Sequence, residues 1–234
     1  MKSIERYYDE KTASEYESTR NDELWKRENS VFEAIISRIT SGELNDSISS
    51  INRLKVLDLP AGTGRWIPFL QNRNIDYVGV DISEEMLEHA QGKLEGLTSD
   101  NNTYQFIQSP YQKYLPTVHD EFDLVICTRF LCHFSPKEVE KIVGLMAATT
   151  RKYLLLQVRV TNNRLAWFSE VAHFIVSARA GAIRRYKKAG RLTYSKVRAN
   201  YLAAVEETGM SAEKHGVRKE KFSSFEYWLL KKKS

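Results

Sequence analysis

The sequence predicts one α/β domain with a mostly parallel sheet and helices on both of its faces. Two observations carry that prediction: apolar strand candidates alternate with helix candidates from about residue 54 to residue 160, and a glycine-bent turn follows the first strand. Strands that alternate with helices in this way are typical of doubly wound parallel sheets. A chain of 234 residues is long enough for one such domain with a sizeable core.

The strand candidates are short apolar runs bounded by polar residues. They fall at residues 54–59, 77–80, 104–107, 122–127 and 153–160. Helix starts are indicated between them, because Ser83 and Ser135 are suitable N-caps that precede acidic residues or a proline. Another helix is expected at 65–71, and Pro68 must lie in its first turn, because proline is not tolerated in a helix interior.

The spacing of apolar residues also predicts the elements at the two ends of the chain. Two helices precede the first strand, and two helices separated by a basic stretch follow the fifth, with Gly209 as a suitable end for the last. A closing pair of extended segments completes the chain. The helices are expected at about 4–20, 24–39, 165–180 and 195–208, and the closing strands at 212–218 and 225–231.

The turn after the first strand carries the predicted chemistry. Gly62 and Gly64 let the chain bend and let a ligand approach the backbone N–H groups at the start of a helix. A dinucleotide-binding turn needs a third small residue three positions on, and Ile67 occupies that position. Asp58, at the mouth of the turn, would repel a pyrophosphate but attract the ammonium of an amino-acid moiety. The turn therefore favours a zwitterionic nucleoside ligand without phosphate.

Asp81 ends the second predicted strand. In nucleoside-binding folds an acidic residue about 20 positions after the glycine turn accepts hydrogen bonds from the ribose hydroxyls, and Asp81 has about this separation in sequence. The alternative is a residue that only caps the helix that follows. The turn, the spacing and the acid together are more specific than any one of them.

Three segments resemble the class I S-adenosylmethionine-dependent methyltransferases. Residues 58–65 (DLPAGTGR) resemble the first motif of that family, residues 78–83 (VGVDIS) its ribose-binding strand, and residues 122–134 (FDLVICTRFLCHF) its fourth strand and the following turn. The resemblance implies a Rossmann-like, seven-stranded, mostly parallel sheet with N-terminal helices and a helical insertion before the last strand pair. It also implies S-adenosylmethionine as the cofactor and methyl transfer as the reaction.

The resemblance further implies which residues contact the cofactor. Tyr16 and Arg20, on the first predicted helix, are candidates for binding its carboxylate. Many members of the family place an acidic residue after the third strand to bind adenine, whereas here Ser109 or a backbone carbonyl has to serve. The other implied contacts are Asp58, Ala61, Gly62, Thr63, Gly64, Arg65, Asp81, Ile82 and Thr128.

Methyl transfer from a sulfonium mainly requires that donor and acceptor are positioned and water is excluded. A general base is needed only for a hydroxyl or a protonated amine, and His133 and His173 are the candidates; each is alternatively a packed residue. Arg129 is a candidate for binding an acidic acceptor or for pairing with a carboxylate within the protein. No metal site is expected, because Cys127 and Cys132 have only one histidine beside them and are interpreted as reduced thiols.

We expect residues 1–234 to form a single methyltransferase domain with four sections. They are an N-terminal helical cap (1–50), a cofactor-binding core (51–160), a helical lid (161–210) and a terminal strand pair (211–234). The aromatic lid suits a small-molecule acceptor, such as a natural product, methylated at oxygen or nitrogen, whereas its basic residues favour an anionic glycan. The alternatives are an RNA or protein methyltransferase and a catalytically silent cofactor-binding partner subunit.

The composition, with 42% hydrophobic and 28% charged residues, is ordinary for a soluble globular protein. No apolar run is long enough to span a bilayer, and the first residues do not resemble a signal peptide, so we expect a cytoplasmic location. The basic stretch between the last two helices is alone poor evidence for nucleic acid as a partner, and no separate RNA-binding module is evident, so nucleic acid is not expected. The sequence does not indicate an oligomeric state.

Overall fold

A seven-stranded sheet forms the centre of the computed structural model, which describes residues 23–43, 53–96, 101–161, 198–219 and 223–232. The strands are β1 (Leu54–Asp58), β2 (Ile75–Asp81), β3 (Thr103–Gln108), β4 (Phe122–Cys127), β5 (Thr150–Thr161), β6 (Ser211–Lys219) and β7 (Ser223–Lys231). Their order across the sheet is β3-β2-β1-β4-β5-β7-β6. β7 is antiparallel to both of its neighbours, and the other adjacent pairs are parallel. The predicted mostly parallel sheet of seven strands is confirmed.

Helices cover both faces of this sheet. The described helices are α1 (Glu23–Thr40), α2 (Ile67–Leu70), α3 (Glu84–Gly92), α4 (Tyr111–Tyr114), α5 (Pro136–Thr149) and α6 (Arg198–Glu206). One apolar core joins α1, α2 and α3 to the sheet, and it includes Phe32, Ile67 and Ala90. The other joins α5 and α6 to the opposite face, through residues such as Ile142 and Tyr201. The two layers make the fold doubly wound, as predicted.

Three helix ends are formed by the capping residues predicted from the sequence. Ser83 Oγ accepts a hydrogen bond from the Met86 N–H at the start of α3. Ser135 and Glu138 form a reciprocal capping box at the start of α5, which satisfies two N–H groups that a helix leaves unpaired. Gly209 has φ +69 just after α6, a conformation that suits glycine at a helix end. These three predictions are confirmed.

Most elements differ from the prediction by one or two residues at their ends, and two of the differences have a clear cause. β5 is longer than the predicted 153–160, because its first residue already pairs with β4 and its last residues pair with β7. α2 is shorter than the predicted 65–71: Gly64 has φ +68 before it, and Gln71 turns to an extended conformation after it. Tertiary pairing extends the strand, and backbone turns limit the helix. The helices predicted at 4–20 and 165–180 lie outside the described residues.

Within the part of the chain that the structure describes, no helix is both long and apolar enough to cross a membrane. The same residues contain no group of three or more histidine, cysteine, aspartate or glutamate side chains arranged to hold a metal ion. Both described cysteines are free thiols, as interpreted from the sequence.

Candidate active site

The turn between β1 and α2 is held by backbone hydrogen bonds to its neighbours. The Ala61 N–H donates to the carbonyl of Val80 on β2 (2.9 Å), and the Gly64 N–H donates to the Ala61 carbonyl (3.0 Å). Gly62 and Gly64 adopt φ values of +53 and +68, where an L side chain is strained. The backbone therefore bends at both predicted glycines, and the turn lies against the end of β2.

The two glycines meet different surroundings. A Cβ atom on Gly64 would lie 2.6 Å from Ile67 Cδ1 and 2.9 Å from Ala90 Cβ, so the turn packs closely on α3 at this point. A Cβ atom on Gly62 would meet nothing within 4 Å. Gly64 is needed for packing, whereas Gly62 leaves open space beside the backbone.

Asp81 joins the glycine turn to the start of α3. Its Oδ2 accepts from the Gly62 N–H (2.8 Å), and its Oδ1 accepts from the Ser83 N–H (3.0 Å). Burial raises the pKa of this carboxyl, while the backbone N–H groups of Ser83, Gly62 and Ile82 oppose the rise. A carboxylate offers about four acceptor positions, so these donors leave capacity for a ligand hydroxyl.

Asp58, at the end of β1, is completely buried rather than open at the mouth of the turn. Its Oδ2 accepts from the Tyr77 hydroxyl (2.8 Å), and its Oδ1 has no hydrogen-bond partner among the described residues. Burial raises the pKa of Asp58 to about 8. The placement differs from the expectation because Tyr77, on the neighbouring strand β2, reaches the carboxyl from the core side of the sheet.

The ends of β3 and β4 complete the same edge of the sheet. The Ser109 N–H donates to the Asp81 carbonyl (2.8 Å), and the Thr128 hydroxyl accepts from the indole N–H of Trp66 (3.0 Å). Tyr111 packs edge-on against Phe130, with ring centroids 5.5 Å apart. The structure thus brings together the predicted residues at the carboxyl ends of four adjacent strands, where ligands bind in open α/β sheets.

Two further predicted residues, Arg65 and Arg129, meet at a buried carboxylate that the sequence analysis missed. Glu28 Oε2, on α1, accepts from Arg65 Nη1 (2.9 Å) and from Arg129 Nη2 (2.8 Å). Burial alone would raise the pKa of Glu28, but the guanidinium groups of Arg129 and Arg65 outweigh it and hold that pKa below its usual value. These three residues are called the Glu28 cluster below.

One signal in the sequence indicates the Glu28 cluster. Glu28 lies on the apolar stripe of α1, four residues before the buried Phe32, and is itself 3% exposed. A carboxylate on the buried face of a helix requires a cationic or hydrogen-bonding partner. The partners cannot be identified from the helix alone, since they are distant in sequence.

Arg129 is held in a strained conformation. Its φ is +56, and its N–H donates to Gln157 Oε1 (3.2 Å) on β5. Gln157 in turn donates from Nε2 to the Tyr227 hydroxyl (3.1 Å) on β7. Such backbone strain costs of order 1–3 kcal/mol and is concentrated at functional sites. Of the two roles predicted for Arg129, the internal ion pair is present, and acceptor binding stays a prediction.

The remaining predicted catalytic residues are only partly described. His133 is half-buried in the short 3-10 helix Leu131–His133 after β4, and its N–H donates to the Phe130 carbonyl (3.1 Å). Its role as a base stays a prediction. Tyr16, Arg20 and His173 lie outside the described residues.

Comparisons with known proteins agree with this arrangement. Residues 56–152 match a family model described as a methyltransferase domain. A magnesium protoporphyrin IX methyltransferase from Synechocystis PCC 6803, solved with bound SAH, has a similar structure: TM-score 0.65, 18% identity and 98% coverage of each chain. A SAM-dependent methyltransferase from Methanosarcina mazei gives a TM-score of 0.54 at 14% identity, covering 77% of this chain and 93% of that chain.

A cyclopropane synthase from Mycobacterium tuberculosis is also similar, with a TM-score of 0.59, 10% identity, and coverage of 76% of this chain and 78% of that chain. At such identities the structural likeness shows the fold alone. No curated protein sequence matches the chain.

The segment matched by the family model begins in β1 and ends in β5. It therefore contains the glycine turn, Asp81 and the end of β4, and it lies within the seven-stranded fold that the solved methyltransferases share. The match over residues 56–152 identifies a methyltransferase domain, so the protein is an enzyme that uses S-adenosylmethionine, and its fold is that of the class I S-adenosylmethionine-dependent methyltransferases.

Proposed function

We propose that the enzyme methylates oxygen or nitrogen in a small-molecule acceptor that carries an anionic group. The supporting observation is a set of guanidinium groups near the carboxyl ends of β1, β4 and β5. Arg129 and Arg65 share the single carboxylate of Glu28, and Arg159 lies over the ring of Phe225, 5.5 Å from its centroid.

Aromatic rings lie between these guanidinium groups. The Arg65 guanidinium carbon is 3.7 Å from the centroid of the Trp25 ring, and that of Arg129 is 5.3 Å from the same ring and 5.6 Å from Phe225. Arginine stacked on aromatic rings presents its N–H groups in a plane that suits a carboxylate or phosphate. A partly apolar, anionic acceptor therefore fits this surface better than a neutral or cationic one.

Two observations indicate that the residues of the glycine turn can bind S-adenosylmethionine. Open space lies beside Gly62, and the buried Oδ1 of Asp58 lacks a donor among the described residues. We assign the ribose hydroxyls to Asp81 and the amino-acid end to the neighbourhood of Asp58. Ser109 and its surroundings are assigned to adenine.

The other expected contacts, at Ala61, Thr63, Arg65, Ile82 and Thr128, surround the same turn and strand ends. Tyr16 and Arg20 remain proposals for the cofactor carboxylate. These residues are the ones that would hold the cofactor beside the acceptor.

When bound, the cofactor supplies a methyl group on a cationic sulfur, and the leaving group is neutral. The protein therefore needs to align the acceptor with that methyl group and to exclude water. Arg129 would orient the anionic group of the acceptor. His133, in the turn after β4, would accept a proton where the acceptor is a hydroxyl.

The test is transfer of labelled methyl groups to matched acceptor pairs, each a carboxylic acid and its amide. We expect the acids to be preferred, and Arg129→Met to raise their KM by about 10- to 100-fold, the loss expected for a charge-assisted hydrogen bond. Affinity for S-adenosylhomocysteine should change far less. Arg151→Met is the control, because Arg151 pairs with Asp123 at the opposite end of the sheet. A preference of the wild type for amides, or equal KM values in the Arg129 variant, would contradict the proposal.

A further inference from the structure

The Asp58–Tyr77 pair lies beneath the glycine turn in an environment that disfavours a charge. Asp58 is 0% exposed and Tyr77 is 1% exposed. The phenol donates a hydrogen bond to one carboxyl oxygen, and the second carboxyl oxygen has no partner among the described residues. A buried carboxylate needs several donors or a cation to offset its lost hydration, and a single neutral phenol does not provide that.

The ionisable groups that face Asp58 come from β2 and β4. On β2, Tyr77 donates a hydrogen bond, and the charge of Asp81 raises the pKa of Asp58. On β4, burial and the charge of Asp58 raise the pKa of the Cys127 thiol, which stays neutral. Burial and Asp58 likewise raise the pKa of Tyr77, so that side chain remains a phenol. Burial and the charge of Asp81 thus favour the protonated form of Asp58, and the Tyr77 hydrogen bond opposes them without reversing the shift.

Asp81 shows why the two neighbouring carboxyls differ. It is also buried, but backbone N–H groups of Gly62, Ser83 and Ile82 donate to it, and such donors stabilise the charged form. Among the described residues, the carboxyl of Asp58 accepts a hydrogen bond from the Tyr77 hydroxyl and has no comparable set of N–H donors. The site thus contains one carboxylate with its charge supported and one carboxyl that lacks such support.

We infer that binding of the cofactor expels one proton from Asp58, which is neutral in the free enzyme and a carboxylate in the complex. The inference rests on the proposed function, in which the amino-acid end of the cofactor lies near Asp58. The ammonium of that moiety, directly or through a water molecule, supplies the positive charge that the free site lacks. In the step an Oδ–H bond of Asp58 breaks, its electron pair stays on oxygen, and the proton passes to solvent.

The sign of the pH dependence follows from this linkage. With the pKa of free Asp58 at about 8, the free enzyme holds the proton at pH 7 and the complex does not. Raising the pH therefore favours the complex, and the association constant should rise by up to about tenfold per pH unit below pH 8. Binding should be measured below the pKa of the ligand's own α-amino group, roughly 8, so that the ligand keeps its ammonium throughout.

The test is calorimetry of S-adenosylhomocysteine binding at pH 7 in buffers that differ in ionisation enthalpy. We expect the observed enthalpy to vary with the buffer with a slope that corresponds to about one proton released. Methylthioadenosine, which has the nucleoside and the sulfur but lacks the amino-acid moiety, should bind more weakly and release close to none. Equal proton release with the two ligands would overturn the inference, and this comparison requires no variant.

Two variants test the residue. Asp58→Asn keeps the shape of the side chain but cannot ionise, so proton release should disappear while the nucleoside part still binds. Tyr77→Phe removes the phenol that favours the charge, so release should persist and the pH dependence should extend to higher pH. Undiminished release by Asp58→Asn would overturn the inference. Binding of S-adenosylhomocysteine without proton release contradicts this inference alone, whereas absence of any binding contradicts the function itself.

Discussion

At the scale of single residues, Gly62 and Gly64 illustrate two different reasons for glycine in one turn. Both have positive φ, but only Gly64 is so close to its neighbours that a Cβ atom would overlap Ile67 and Ala90. Strain from a positive φ and overlap with a packed neighbour are separate contributions to the free energy of unfolding. The structure therefore predicts different costs for the same substitution.

Gly62→Ala should lower the free energy of unfolding by about 1–2 kcal/mol, the cost of a left-handed conformation for an L residue. Gly64→Ala should lower it by about 2–5 kcal/mol, because overpacking of a core adds about 1–3 kcal/mol. Urea unfolding of the two variants measures both values, with Gly62→Ala as the matched control. Equal losses would show that the turn relaxes away from α3 and that the close contact is not a constraint.

Residue-level prediction from sequence succeeds where a residue's role depends on its local backbone. The bends at Gly62 and Gly64 and the cap at Ser83 are of that kind. It fails where the partner is distant in sequence: the burial of Asp58 depends on Tyr77, and Glu28 pairs with Arg65 and Arg129. The sequence pattern predicts these bends and this cap but not the distant partners.

At the scale of elements, α1 is fixed to the rest of the molecule in two ways. Its apolar stripe, including Phe32 and Ile36, is buried in one core, and Phe32 stacks on Trp66 with ring centroids 3.8 Å apart. Glu28 adds ion pairs to the glycine turn and to the segment after β4. The helix predicted from apolar spacing thus also joins the glycine turn to the segment after β4.

Glu28→Gln should lower the free energy of unfolding by about 3 kcal/mol, because it removes the carboxylate charge shared by two largely buried guanidinium groups. Glu33→Gln is the control on the same helix. Glu33 is exposed, so its substitution should change stability by less than about 0.5 kcal/mol. Chemical unfolding of both variants gives the comparison. Similar small changes would indicate that α1 is held by apolar packing alone.

The elements themselves are largely predictable, because each strand is a short apolar run and several helices start at capping residues. β4 has the predicted bounds, whereas β5 and α2 do not. Their lengths are decided by the pairing of β5 with β7 and by the backbone turns around α2. A local window of sequence predicts neither the strand pairing nor the conformation of these turns.

At the scale of the whole molecule, Asp58 makes stability depend on pH. Its pKa of about 8 in the folded state exceeds the value of about 3.9 in an unfolded chain, so between these values only the folded state holds the proton. The contribution is fully present below pH 4 and is lost as the pH rises through about 8. Other groups add their own dependence, so a variant is needed to isolate this one.

Asp58→Asn cannot ionise and therefore serves as the reference. We expect the free energy of unfolding of the wild type, relative to the variant, to fall by up to about 1.4 kcal/mol per pH unit between pH 5 and pH 7.5. Denaturant midpoints across this range, without cofactor, measure the difference. A difference that does not change with pH would mean that Asp58 is already charged in the free protein.

The position of β7 has a consequence for how the protein emerges from the ribosome. β7 follows β6 in the chain but lies between β5 and β6, and its residues pair with both neighbours. While residues up to 219 are being synthesised, β6 has no strand to join, and β5 presents an open edge. The parallel strands β1 to β5 can associate during translation, but β6 can join the sheet only after β7 has been synthesised. Chaperone access to the β5 edge is thus greatest in the interval before β7 arrives.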